Sequence, residues 1–281
     1  METYLFEVLH LMLRYFHLVA GMAWIGASFY LMWLDNNLKG PSQWSRGKDV
    51  PKDVGILDGG GLYATTKYAH ANEPEKMSKS LDWFRWNVHA TWLTGGSLLI
   101  LLYYVGADTH LLDPDKSSIG IFTALCISLG SLVVGWFIYD SLCRSSLINH
   151  GRLFVVIIIG CFAICAFLLD QFLQNRAAYI HMGALIGACM AGNVFYKILP
   201  CQRYLINEVA AGRVPAPGPG VVARIYATHN HYAAFPMIFI MIGSHFPFIF
   251  DHDHGWLALI ALFVIGIRIR HYFILGHRGT R

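Results

Sequence analysis

Residues 5–34 read LFEVLHLMLRYFHLVAGMAWIGASFYLMWL, with Glu7 and Arg14 as the only charged side chains. A helix needs ~20 mostly apolar residues, each rising ~1.5 Å, to cross ~30 Å of hydrocarbon. This stretch exceeds that length and reads as a transmembrane helix. It is too long for a cleavable signal peptide and carries Arg14 and His17 inside it. His10, Arg14 and His17 are spaced by four and three, so they share one helix face. An imidazole in hydrocarbon is costly, so it usually faces a bundle interior and has a partner there.

The pattern repeats along the chain. Further apolar windows cover 86–107, 118–142, 152–173, 177–199, 230–250 and 255–275, and most carry a histidine within or at the edge of the run. The 281 residues are 56% hydrophobic and 14% charged, whereas soluble domains are about a quarter charged. The expected fold is therefore an all-α polytopic transmembrane bundle of about seven spans, with residues 1–281 forming a single membrane domain.

The basic residues set the expected orientation. Of the 21 Lys and Arg, eighteen fall in segments 35–86, 140–152, 197–229 and 268–281. Lys116 and Arg176 fall on the other side, in loops containing Asp108, Asp113, Asp115, Asp251 and Asp253. The positive-inside rule then places the N-terminus outside and the C-terminus inside. The net charge of +4 is a topological signature, and no nucleic-acid partner is expected. Trp83, Phe84, Trp86 and Trp33 mark the inner interface and Trp256 the outer one.

Two cytoplasmic-side loops are expected, 37–84 and 200–228. The first holds Gly59, Gly60 and Gly61, which either form a plain turn or let backbone approach a ligand closely. The second, with Pro215, Pro217 and Pro219, reads as an extended linker. Cys126, Cys143, Cys161, Cys165 and Cys189 lie in or at the ends of spans and Cys201 just beyond, as small packing residues. No Cys-x-x-Cys-His occurs, so a haem would not be attached covalently. Arg85…His89…Trp92 resembles Arg224…His229…Tyr232 at the starts of the second and sixth spans. This suggests two parallel four-helix halves with the last helix of the second half missing.

His17, His181 and His245 fall in the half of the bundle nearer the outside, and His89, His229, His231 and His271 near the inner surface. Imidazoles on separate helices suit axial ligation of a b-type haem, whose propionates need cations such as Arg14 or Arg176. Asp35, Asp140 and Asp170 all sit at helix ends, so haem is favoured over a non-haem metal site, which a nearby carboxylate would suit. For each of these histidines the alternative is a hydrogen-bonded structural imidazole. His70, His110, His150, His252 and His254 read as solvated.

Several blocks resemble, in order, the N-terminal membrane domain of bacterial membrane-bound urate hydroxylase. They are Arg14-Tyr-Phe-His17 through Trp24 and Trp33-Leu-Asp35-Asn36, Gly59-Gly-Gly-Leu-Tyr63 with Lys67-Tyr68, and Trp83-Phe-Arg-Trp86. Later come Arg176-Ala-Ala-Tyr-Ile-His181, Asn193-Val-Phe, Pro200-Cys-Gln202, His229-Asn230 with Tyr232 and Pro236, and Ser244-His245-Phe-Pro247. The first block is also similar to the haem-binding protoporphyrinogen oxidase of bacterial membranes. The resemblance implies eight helices followed by a periplasmic c-type cytochrome domain, and urate oxidation feeding the respiratory chain. It points to His17, His181, His229 and His245 for haem ligation. Gly60, Gly61, Lys67, Arg85 and His89 are candidates for substrate binding.

The departures matter. This sequence stops after its seventh apolar window and is expected to be naturally short or one piece of a larger assembly. Where the family carries a His before the triple glycine, this chain has Asp58. Where it carries Glu and Tyr after the Trp-Phe-x-Trp block, this chain has Asn87 and His89. Losing acid–base groups weakens the expectation of urate chemistry more than that of haem. Three functions stand at this stage. The first is a b-type haem redox protein, with one haem or more, passing electrons from a substrate such as urate to a periplasmic cytochrome c. The second is a non-catalytic haem subunit of a larger respiratory complex. The third is a structural subunit without cofactor.

Overall fold

A computed structural model describes residues 2–40, 52–58, 61–66, 85–252 and 254–275. Each apolar window is largely helical. The helices are α1 (Glu2–Asn37), α2 (Arg85–Leu99), a short α3 (Ala107–His110), α4 (Ile121–Arg144), α5 (Gly151–Phe172), α6 (Asn175–Asn193), α7 (Leu199–Ala210), α8 (Pro217–Gly243), the single turn α9 (Pro247–Phe250) and α10 (Gly255–Leu275). Five helical segments are long and apolar enough to cross a membrane: α1, α4, α5, the continuous α6–α7 rod and α10. The other two windows are α2 and α8. Thr91, Thr94 and Ser97 dilute the hydropathy of the first, and Thr228, His229, Asn230 and His231 that of the second.

Two of the long helices contain a π-turn. Ile100–Tyr104 extends α2, and Val194–Ile198 joins α6 to α7. Such turns widen the helix locally and often mark functional positions. The second also accounts for a departure from expectation. Residues 200–228 are not an extended linker: α6 runs on as α7 to Ala210, and α8 begins at Pro217. Pro200 directly follows the π-turn inside the continuous rod, and Pro217 lies at the start of α8, where a missing amide hydrogen costs little. The connection shrinks to a turn closed by Gly212 at φ 70° and the few residues before Ala216.

Segment 37–84 is described in part. Asp53–Asp58 (β1) and Gly61–Thr66 (β2) form an antiparallel pair in register from Asp53↔Thr66 to Asp58↔Gly61. An isolated bridge, Lys39↔Asp53, ties this hairpin to the end of α1. Gly60 and Lys67 lie outside the described residues, so the two readings of the triple glycine stay open. Gly61 itself is a strand residue.

Consecutive long helices run in opposite directions, so the bundle has an amino-terminal end, where α1, α4, α6 and α10 begin, and an opposite end. α6 is its axis and packs on α2, α4, α5 and α8. Small residues make this possible. A Cβ at Gly192 would lie 2.4 Å from the Trp136 ring of α4, and one at Gly183 would lie 2.9 Å from Met241 of α8. Pro236 lies inside α8 where Gly266 of α10 packs against it, a Cβ there falling 2.5 Å from the proline nitrogen. α1 differs: it packs mainly on α2 and leaves Tyr15, Phe16, Leu18 and Met22 exposed.

Candidate functional site

The structure separates the candidate histidines into distinct environments. His181, on α6, is fully buried at 0% exposure. Its Nδ1 is 2.7 Å from the Ala177 carbonyl, an acceptor only, so the proton is on Nδ1. Its Nε2 lone pair is 2.6 Å from the Ser128 hydroxyl of α4, which also lies 2.9 Å from the Tyr104 hydroxyl. The Tyr103 ring meets the imidazole edge-on at 5.5 Å. Tyr103 and Tyr104 both come from the π-turn of α2. Both nitrogens of His181 are therefore occupied within the protein.

His229, on α8, sits about 18 Å from His181 toward the opposite end, by the twelve residues that separate His181 from Asn193 on α6. Asn193 Nδ2 donates to the Tyr139 hydroxyl at 2.8 Å and to Asn230 Oδ1 at 2.8 Å, and Asn230 donates to the Met190 carbonyl at 3.0 Å. The Tyr139 proton then points to His229 Nδ1, 2.9 Å away, which leaves the His229 proton on Nε2. Phe154 of α5 stacks on the ring at 5.3 Å. Beside this network Asp140 pairs with Lys197 at 2.9 Å and Arg144 at 2.7 Å. Lys197 belongs to the second π-turn and also lies over the Tyr226 ring. The buried Asn193 Oδ1 has no partner.

His17 differs from both. Its Nδ1 is 3.1 Å from the Thr91 carbonyl and 3.1 Å from Thr94 Oγ1, whose own proton points to the Ala90 carbonyl at 2.6 Å. Nδ1 is thus the donor and Nε2 keeps its lone pair. The ring lies flat against α2 because residue 95 is glycine; a Cβ there would approach Cε1 to 2.8 Å. This is the arrangement by which a carbonyl orients a metal-binding imidazole. Arg14 is exposed one turn along the same face.

His245 follows the end of α8 and is exposed. α1 meets α8 where Phe29 stacks on Phe235, 5.3 Å between centroids. At the far end of α8, Met241 packs on Gly183 of α6 and Gly243 faces Tyr179, so His245 is level with Tyr179, near the His181 end of the bundle. His17 lies deeper: measured along α2, His17 at Thr94 is about 15 Å from Tyr104 beside His181. His17, His181 and His229 thus stand at three different depths. Of the substrate candidates, His89 bonds the Arg85 carbonyl at 2.7 Å and packs against Phe195 at 4.8 Å, while the Arg85 guanidinium lies over Trp86.

Sequence reasoning missed Ser128, Tyr139 and Tyr104, ordinary residues in apolar runs that become polar partners only through helix pairing. It also missed Arg270, buried at 1% exposure between the rings of Phe29 and Phe235 and donating to the His231 carbonyl at 2.9 Å and to Met32 Sδ. Its position on α10 gives no sign of burial. Among the described residues no group of three or more His, Cys, Asp or Glu side chains is gathered as metal ligands.

No curated protein and no solved structure matches the chain. A family model does, that of the urate oxidase N-terminal family, over residues 3–281. The ordered blocks from Arg14 to Pro247 fall within that span, and the chain belongs to the urate oxidase N-terminal family.

Proposed function

We propose that this chain is an integral-membrane b-type haem protein of a urate hydroxylase-like redox system. It crosses the bilayer seven times, with the amino-terminal end of the bundle facing the periplasm. It passes electrons from a small organic substrate, such as urate, to a periplasmic cytochrome c. A haem would supply one-electron exchange. The observation that carries the reading is the free Nε2 of His17, oriented by Thr91 and given room by Gly95. His17 would hold the iron. His181 and His229 would act as structural imidazoles that keep α4, α6 and α8 together.

The accessory-subunit reading has its own support. His181 and the Nδ1 of His229 are engaged in internal hydrogen bonds, and Asp58 and Asn87 stand where the family carries an acid–base His and Glu. Purified protein separates these readings. A b-type reduced-minus-oxidised spectrum together with urate-dependent cytochrome c reduction supports the enzyme. A full haem complement without urate turnover supports the accessory subunit. Pure protein without haem contradicts both.

A further inference from the structure

At the amino-terminal end of the bundle a cavity of about 320 Å³ is lined by Lys116, Asp170, Gln171, Asn175, Asp251 and His252. Three connections build it: the one before α4, the junction of α5 with α6, and the turn before α10. Hydrogen bonds fix its wall. Lys116 Nζ donates to the Asp170 carbonyl at 2.9 Å and to Asn175 Oδ1, and Asn175 Nδ2 donates to Asp251 Oδ1 at 3.4 Å. Ser117 Oγ ties the same connection to the Phe172 carbonyl at 3.1 Å. His252 Nδ1 accepts from the His254 amide at 3.2 Å, so the ring is neutral with its proton on Nε2.

The donors of this wall are largely spent on the wall itself, and the acceptors are not. The Asp170 side chain is only 8% exposed, and Lys116 Nζ stands 3.6 Å from its Oδ1, beyond hydrogen-bond distance. Among the described residues no donor hydrogen-bonds to this carboxylate, and Asp251 is engaged through Oδ1 alone. One lysine against two aspartates also leaves the lining one negative charge in excess. A buried carboxylate without a donor is unfavourable, and a cation rich in N–H groups relieves both deficits. A divalent metal does not suit the site, because the Lys116 ammonium beside Asp170 repels it. The volume lies at the lower end of the range for small-molecule sites. A guanidinium fits the walls best, since its paired N–H groups match the two oxygens of a carboxylate. We propose that this cavity binds a small guanidinium-type organic cation, with Asp170 and Asp251 as its acceptors. Occupancy depends on neither haem nor urate.

The full chain purified in detergent is titrated calorimetrically with methylguanidinium chloride, with gel filtration to verify folding. The wild type should bind it saturably, and Asp251→Asn should bind it at least about tenfold more weakly. Tetramethylammonium, equal in charge but without an N–H group, should bind the wild type at least about tenfold more weakly than methylguanidinium. Absence of saturable binding, a smaller loss in Asp251→Asn, or comparable affinity for the two cations overturns the site. If Asp251→Asn does not fold, the decision passes to His252→Arg, which adds a positive charge to the same exposed turn. It should weaken methylguanidinium binding by a similar factor, and unchanged binding there overturns the site.

Discussion

α1 and α6 each carry an imidazole whose Nδ1 proton is donated to a backbone carbonyl, yet the two helices treat the ring in opposite ways. On α6, His181 is enclosed by α4 and the π-turn of α2, and Ser128 takes its second nitrogen. On α1, His17 lies against Gly95 with Nε2 left open, on a helix covered chiefly by α2. Burial in a membrane bundle does not by itself distinguish a ligand from a structural histidine. The partner of the second nitrogen does.

The largest expected effect comes from exchanging the two roles. His17→Ala should reduce haem content to background while leaving thermal unfolding in detergent nearly unchanged. His181→Ala should leave the ligand in place but destabilise the fold by about 3 kcal/mol, by opening a cavity and stranding Ser128. Haem spectra and unfolding curves on both variants test the contrast; the reverse pattern would break it.

Packing sharpens the comparison further. Gly192→Ala on α6 must displace the Trp136 ring and should cost about 1–3 kcal/mol. Gly26→Ala on α1, where nothing lies within 4 Å, should gain about 0.5–1 kcal/mol. Both are read by thermal unfolding. Equal effects would mean that α1 is packed as tightly as α6.

The windows drawn from hydropathy coincide with helices because apolar runs of that length must satisfy their own backbone in lipid. Their ends were less legible. Residues from 200 onward read as loop, yet the rod continues through the π-turn into α7. Pro217 looked like linker and is a helix start. At the candidate site, histidine depth along each helix was readable from counting. Which nitrogen is free was not, because that depends on Ser128, Tyr139 and Thr91, contributed by other helices. Arg14 was noticed from its spacing.

The smallest expected effect is at the surface. His254→Ala, exposed in the turn before α10, should change neither haem content nor unfolding temperature. A clear loss of haem there would move the ligand set to the membrane surface.

The central claim is tested most directly by chemical rescue. In His17→Gly, haem content of the purified protein should be low, and free imidazole supplied during haem loading should restore it. A His17→Gly protein that retains its full haem without imidazole, or a wild type with no haem at all, would contradict the account.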